Sequence, residues 1–231
     1  MKIFSISDLH LSFSSDKPMD IFGDAWANYF EEITLDWQKK VADDDIVLIA
    51  GDISWAMSLE NAIVDMLEVS KLKGKKVIIR GNHDYWWSSY AKVKAATKGL
   101  EIYPIQNNAI RFDGYVICGT RGWSIANEGA NEDDKKIFNR EIIRLEISLK
   151  EAVSKLQTGD KLIAMVHYPP FDVNFANTPF TDLMEKYGVN KVVYGHLHGA
   201  NCRSALNISK NGIEYYLTSC DKLANKLIQL Y

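Results

Sequence analysis

Five histidines stand in this chain, His10, His83, His167, His196 and His198, and each lies just after a short apolar run. Histidines used for packing or solubility would be scattered; these are not. Asp8, Asp52 and Asn82 occupy positions of the same kind. Seven oxygen or nitrogen donors, Asp8, His10, Asp52, Asn82, His167, His196 and His198, are therefore gathered at the ends of apolar runs. Burying that many charged and polar groups without partners is expensive, and metal ions remove the difficulty. Seven donors exceed the needs of one tetrahedral ion and suit two ions that share a bridging carboxylate. The set mixes imidazole, carboxylate and amide without thiolate, which points to Mn, Fe or Zn over Mg or Ca. Two ions about 3.5–4 Å apart are a recurring device for in-line displacement at phosphorus. Beside two carboxylates and a hydroxide they keep about one net positive charge, which attracts an anionic phosphoryl group.

The elements that must hold these donors are short buried strands. Lys75 to Asp84 reads KKVIIRGNHD: a β-branched run that stops at Gly81, then Asn82, His83 and Asp84. Such a run reads as a parallel strand arriving at a tight turn, and sites in open α/β sheets are built at that end. The adjacent Asn82 and His83 can divide two jobs, one ligating a metal and one handling a proton. Lys2–Ser7 alternates and leads into Asp8-Leu9-His10; residues two apart in an extended chain point the same way. Asp45–Ala50 ends at Gly51-Asp52, Leu162–Val166 at His167, and Lys191–Tyr194 at Gly195-His196-Leu197-His198.

Helices are expected between these strands. Trp26, Phe30, Ile33, Trp37 and Val41 recur at helical spacing, as do Phe138, Ile142, Leu145, Leu149, Val153 and Leu156. Ser58–Lys73 is bounded by Gly74, Ser88 is a candidate N-cap, and Thr178-Pro179 opens a helix stopped by Gly188. Strand and helix alternate up to Gly99, implying a parallel sheet with right-handed crossovers. Beyond it, Asp113-Gly114 between two strand-like runs signals a hairpin. Glu132, Asp133 and Asp134 suit the start of the long helix, where the dipole favours anions. Tyr215–Thr218 and Leu227–Leu230 read as closing strands. With no repeat or linker, residues 1–231 are expected to form one α/β domain.

Composition narrows the function classes. A net charge of −3 argues against a generic nucleic-acid binder. The three cysteines are odd in number and form no CxxC pair, as in a reduced intracellular protein. No apolar stretch approaches the roughly 20 residues that span a bilayer, and the start lacks the pattern of a signal peptide. A cytoplasmic location and no membrane partner follow as expectations.

Five motifs now stand in order: DLH at Asp8, GD at Gly51, GNHD at Gly81, a histidine after a strand at His167, and GHLH at Gly195. Singly each is short; together they resemble the calcineurin-like metallophosphoesterases, over residues 8 to 198. The resemblance implies a four-layer α/β/β/α sandwich, two mixed sheets flanked by helices. It assigns Asp8, His10 and His198 to one metal and Asn82, His167 and His196 to the other, bridged by Asp52. It makes His83 the non-ligand acid near the leaving group. The implied reaction is metal-dependent phosphoester hydrolysis by a metal-bridging hydroxide, on a small phosphomonoester or phosphodiester.

Within that resemblance a protein Ser/Thr phosphatase is disfavoured, because GDISWA stands where such enzymes carry GDxVDRG. The repair nucleases are longer than this chain. A non-catalytic metal-binding scaffold or a mononuclear metal protein would leave several donors without work. Substrate contacts are sought among side chains near the strand tips: Trp55, Trp86, Arg121 and Tyr168, with Tyr85, Trp87 and Trp123 beside them. Aromatics there could stack on a planar group, and Arg121 could meet a second charge. Inward packing is the competing reading for Trp86 and Trp87, because tryptophans after a turn also anchor the next helix.

Overall fold

The computed structural model describes residues 1–125, 131–172, 174–199, 202 and 204–231. The first sheet contains β1 (Ile3–Ile6), β2 (Ile46–Ile49), β3 (Lys75–Ile78), β4 (Ile102–Pro104) and β11 (Ile228–Gln229), in the order β11-β1-β2-β3-β4. Only β11 runs antiparallel to its neighbour in that sheet. The second sheet contains β5 (Ala109–Phe112), β6 (Tyr115–Gly119), β7 (Lys161–Met165), β8 (Lys191–Tyr194), β9 (Asn207–Lys210) and β10 (Ile213–Leu217). Its order is β5-β6-β7-β8-β10-β9, with antiparallel pairs only at the two edges. The Asp113-Gly114 hairpin is present, pairing Phe112 with Tyr115.

Alternation along the strands builds the layers. Val47 and Ile49 face a core shared with helices α1 (Tyr29–Lys40), α2 (Leu59–Ser70) and α3 (Tyr90–Ala96), through Ile33, Trp37, Met66 and Val93. Ile46 and Leu48 point the other way and meet Ile163, Met165 and Val193 of the second sheet. On that sheet Leu162 and Ala164 turn outward onto α4 (Glu132–Lys155) and α5 (Pro179–Lys186), through Leu145, Leu149 and Phe180. The result is the expected α/β/β/α sandwich. Each fully buried Val, Leu or Ile contributes roughly 1.5–3 kcal/mol, so this packing holds the strand tips firmly enough to carry strained backbone.

Several boundaries differ from the sequence reading. Trp26 lies in a short 3₁₀ turn, Asp24–Trp26, and α1 begins only at Tyr29. The cap of α3 is Ser89, whose hydroxyl accepts from the Lys92 N–H, not Ser88. The helix α2 ends at Ser70, before Gly74, whose φ of +80° belongs to the turn into β3. Thr178 and Thr181 form a reciprocal capping box with Pro179 at the first helical position, as the residue types there favour. The edge strand β9 carries an alternation too short to be recognised beforehand. Part of the Gly119–Asp134 loop, at 126–130, lies outside the described residues. No helix among the described residues is long and apolar enough to cross a membrane.

Candidate metal centre

All seven candidate donors arrive at one end of the sandwich. The tips of β1 and β2 are laced together there: the N–H of Asp8 bonds Gly51 O at 3.0 Å, and the N–H of His10 bonds Asp52 O at 2.9 Å. The tip of β1 is also stitched to the second sheet, with Ser7 N–H on Thr218 O at 2.7 Å and Cys220 N–H on Ser7 O at 3.0 Å. Residues from opposite ends of the chain thus meet over a few ångströms.

The alternation argument for Asp8 and His10 fails in its detail. Strand β1 stops at Ile6, and both residues hold left-handed backbone, φ 56° and 47°. They converge because the chain turns, not because it is extended. Asp52 and His196 are left-handed too, at φ 52° and 70°. Such a conformation costs roughly 1–3 kcal/mol per residue, more than the roughly 1 kcal/mol net of one ordinary hydrogen bond. Several bonds must therefore hold each tip. Two motif glycines are required for another reason. A Cβ on Gly81 would collide with the Asp52 backbone and carboxylate, and one on Gly195 would lie 2.5 Å from Asp8 Oδ2 and 2.6 Å from Ser7 Oγ.

Two groups of donors result. In the first, ligand atoms of Asp8, His10 and His198 all lie within 4.8 Å of one another. In the second, Asn82 Oδ1 lies 2.7 Å from His167 Nε2 and 2.8 Å from His196 Nδ1. Asp52 stands between them, its Oδ2 3.8 Å from His10 Nε2 and 3.4 Å from His167 Nε2; Asp8, Asp52 and His167 also form a group within 4.8 Å. Asp8, His10, Asp52 and His167 are buried, while Asn82, His196 and His198 are half-buried. Three buried polar atoms here, His10 Nδ1, His10 Nε2 and Asp52 Oδ2, have no hydrogen-bond partner. The orphaned Asp52 Oδ2 and His10 Nε2, 3.8 Å apart, fit a divalent cation. His167 Nδ1 lies 2.8 Å from the Ala50 carbonyl, a contact that fixes the ring and leaves Nε2 as the ligating nitrogen.

The titration behaviour has one organiser, the Asp52 carboxylate. Burial works against its charge, yet His167 and His10 hold its pKa well below the usual carboxylate range. In the same way burial opposes the His167 cation, but Asp52, with Asp8 behind it, pushes that pKa up to about 9. For His10 burial wins: with His198 and His83 adding to it against Asp52, its pKa falls to about 3. Burial likewise lowers His196 to about 4. The opposite directions of His167 and of His10 and His196 follow from one balance, burial against the charge of Asp52.

Asp84 has a different role from the one its place beside His83 suggests. It does not hold the imidazole. Its Oδ2 accepts from the N–H groups of Gly81 (2.7 Å) and Asp52 (2.9 Å), and its Oδ1 from Ile53 (2.9 Å), Ser54 (3.2 Å) and Trp86 Nε1 (3.0 Å). Five donors on one buried carboxylate tie the β3 tip to the β2 tip and orient Asp52. Burial first, then the Asp52 charge, pushes its pKa up to about 6. Only the acid after GNH signalled it. His83 is half-buried beside the donors: its N–H bonds Asp52 Oδ1 at 2.8 Å and its ring lies 4.5 Å from Trp55.

Of the proposed substrate contacts, Trp86 must be withdrawn. It is 2% exposed, packed in the helix-side core of the first sheet with its indole N–H on Asp84, so no ring face remains for a ligand. Its neighbour Trp87 is buried with it. Trp55 is half-buried and stacks on His10 at 4.8 Å. Tyr168 is largely buried, its ring 4.2 Å from His196 and 5.2 Å from Trp123. Arg121 stacks on Trp123 at 4.5 Å, and its carbonyl accepts from His167 N–H at 2.9 Å. These three border the donors. Trp26, read from its spacing as core only, is buried but also presents its ring 5.9 Å from His10 and 6.0 Å from His198.

A model of the calcineurin-like phosphoesterases matches residues 1–200. The chain belongs to that family. Among curated proteins no sequence matches it. Solved structures share the family fold at low identity. The phosphopantetheinyl hydrolase PptH from Mycobacterium tuberculosis matches with TM-score 0.59 at 13% identity, over 99% of this chain and 95% of that one. GAP50, described as the anchor in the inner membrane complex of Plasmodium, matches with TM-score 0.52 at 14% identity, over 96% of this chain and 72% of that one. At such identities the likeness establishes the fold of this calcineurin-like phosphoesterase, a hydrolase family that typically binds divalent metals.

Proposed function

We propose that the protein hydrolyses the phosphoester bond of a small phosphomonoester or phosphodiester at a centre of two divalent transition-metal ions, Mn, Fe or Zn. The observation that carries this reading is the pair of donor groups on either side of Asp52, together with the unpartnered atoms of His10 and Asp52. Asp8, His10 and His198 would hold one ion, Asn82, His167 and His196 the other, and Asp52 both. Bound there, the ions supply a water of lowered pKa and neutralise charge on the phosphoryl oxygens.

The residues around the donors divide the remaining work. Asp84 and Ser7 fix the two carboxylates, Asp84 through the Asp52 N–H and Ser7 through a 2.8 Å bond from its hydroxyl to Asp8 Oδ2. His83 serves the leaving oxygen. Burial pushes its pKa below the ordinary imidazole value, so it takes up the proton it delivers once an anionic substrate favours the charged ring. Trp55, Tyr168 and Arg121 border the substrate. The three cysteines are free thiols, Cys118 and Cys220 buried, which supports a reducing, cytoplasmic setting.

The test is a panel of phosphomonoesters and phosphodiesters assayed with Mn²⁺ before and after chelation. Hydrolysis of at least one class, abolished by chelator and restored by metal, is the expected result. Bound metal with no turnover on any ester would overturn the enzyme reading and favour a scaffold.

A further inference from the structure

Beside the metal centre lies a cleft of about 190 Å³ that none of the five motifs accounts for. Arg80, Arg121, Arg140 and Arg144 line it, with Glu141 as its one carboxylate. Both oxygens of the buried Glu141 are engaged, one by Arg144 Nη1 at 2.6 Å and one by the Thr120 hydroxyl at 2.6 Å. Among the described residues the arginine–carboxylate pairs are Arg144–Glu141 and Arg111–Asp160. Arg80, Arg121 and Arg140 therefore face the cleft without a described counter-charge, and the buried Nε of Arg80 has no hydrogen-bond partner. Like charges gathered in a half-buried cleft are costly unless an anion joins them.

Residues of the cleft connect to the donors through the main chain. Arg80 precedes Asn82 by two residues, a reach of at most about 7 Å along the backbone. The carbonyl of Arg121 is bonded to the main chain of His167. Planar guanidinium forks match phosphate oxygens in pairs. We infer that the cleft holds a second phosphoryl group of the substrate, so that the enzyme acts on small molecules carrying two phosphate groups. This rests on the phosphoesterase reading above and names the substrate class of that same site.

Two measurements on the full-length, Mn²⁺-loaded protein test it. Calorimetric titration with inorganic phosphate reads the cleft without turnover. Two classes of site are expected, one lost in Asp52→Asn and the other weakened about tenfold in Arg140→Gln, the worth of one charge-assisted hydrogen bond. Arg140 is exposed, so its replacement leaves the core intact, and Arg140→Lys should recover part of the loss. Kinetics then compare adenosine 3′,5′-bisphosphate with adenosine 5′-monophosphate. The ratio of their kcat/KM values should favour the bisphosphate and fall about tenfold in both Arg140→Gln and Arg121→Gln. It should hold in Lys39→Gln, which removes an exposed charge elsewhere. A phosphate titration insensitive to Arg140→Gln would overturn the anion site. Sensitive phosphate binding with an unchanged kinetic ratio would overturn the substrate role and leave a site for free phosphate. If neither nucleotide is turned over while another ester of the phosphoester panel is, the bisphosphate substrate class is overturned and the hydrolase reading stands; with no turnover on any ester, the hydrolase reading fails and the substrate role falls with it.

Discussion

Asp8, His10, Asp52 and Asn82 reach the centre from the first sheet, and His167, His196 and His198 from the second. The first sheet supplies both carboxylates, and each is anchored by donors from elsewhere. Asp8 accepts from Ser7 Oγ and from the His196 N–H at 3.1 Å. Asp52 accepts from the His83 N–H, and its own N–H is held by Asp84. The second sheet supplies only imidazoles, of which His167 alone is wholly buried and braced, against Ala50 O. Physically the difference is one of charge. Two buried carboxylates a few ångströms apart repel and must be fixed by N–H and O–H donors. An imidazole acting as a ligand carries no negative charge to offset and needs only the right orientation.

That contrast is sharpest when each half loses a ligand. Asp52→Asn should lower turnover by more than about 10³-fold and strip most bound metal, because one carboxylate serves both donor groups. His198→Ala should release mainly one ion. Metal analysis of the two purified proteins, with circular dichroism to confirm folding, checks the difference; equal metal loss would erase it. Next in size is His83→Ala, which should keep both metals yet slow alkyl phosphates by about 10²–10⁴-fold while sparing p-nitrophenyl esters. An equal loss on both ester types would leave His83 a positioning role only. Asp84→Asn turns an NH₂ toward main-chain N–H donors. It should weaken metal affinity by about 10–100-fold and cost about 1–3 kcal/mol in urea unfolding. Wild-type metal affinity in that variant would show that Asp52 does not depend on its brace. The smallest change expected is Trp55→Ala: about a fivefold or greater rise in KM for a nucleotide ester, from one lost stacking platform worth roughly 1–3 kcal/mol. A similar rise for glycerol phosphate would mean disturbed His10 instead.

The donors could be read beforehand because a buried strand has a clear pattern and its end is marked by glycine or by the first polar residue. GNHD, GD and GHLH carry that mark. The backbone that joins them does not. Nothing in Asp8-Leu9-His10 distinguishes an extended turn-free end from the left-handed one observed, because aspartate and histidine tolerate both. Trp86 and Trp55 look alike in sequence, yet one is buried against Asp84 and the other stacks on His10. Their sorting depends on how the β2 and β3 tips pack, a long-range matter. The arginine cleft was hidden for the same reason. Its members come from the residues after β3, from the loop after β6 and from α4, 64 positions apart between Arg80 and Arg144, and no local spacing joins them.

The central claim is that two ions share Asp52 between the two sheets' donors. Counting metal in the purified protein by inductively coupled plasma mass spectrometry, after loading with Mn²⁺ and removal of excess, tests it most directly. About two ions per chain in the wild type and fewer than one in Asp52→Asn is the predicted result. A wild-type protein that saturates at one ion, or an Asp52→Asn variant that keeps two, would contradict it.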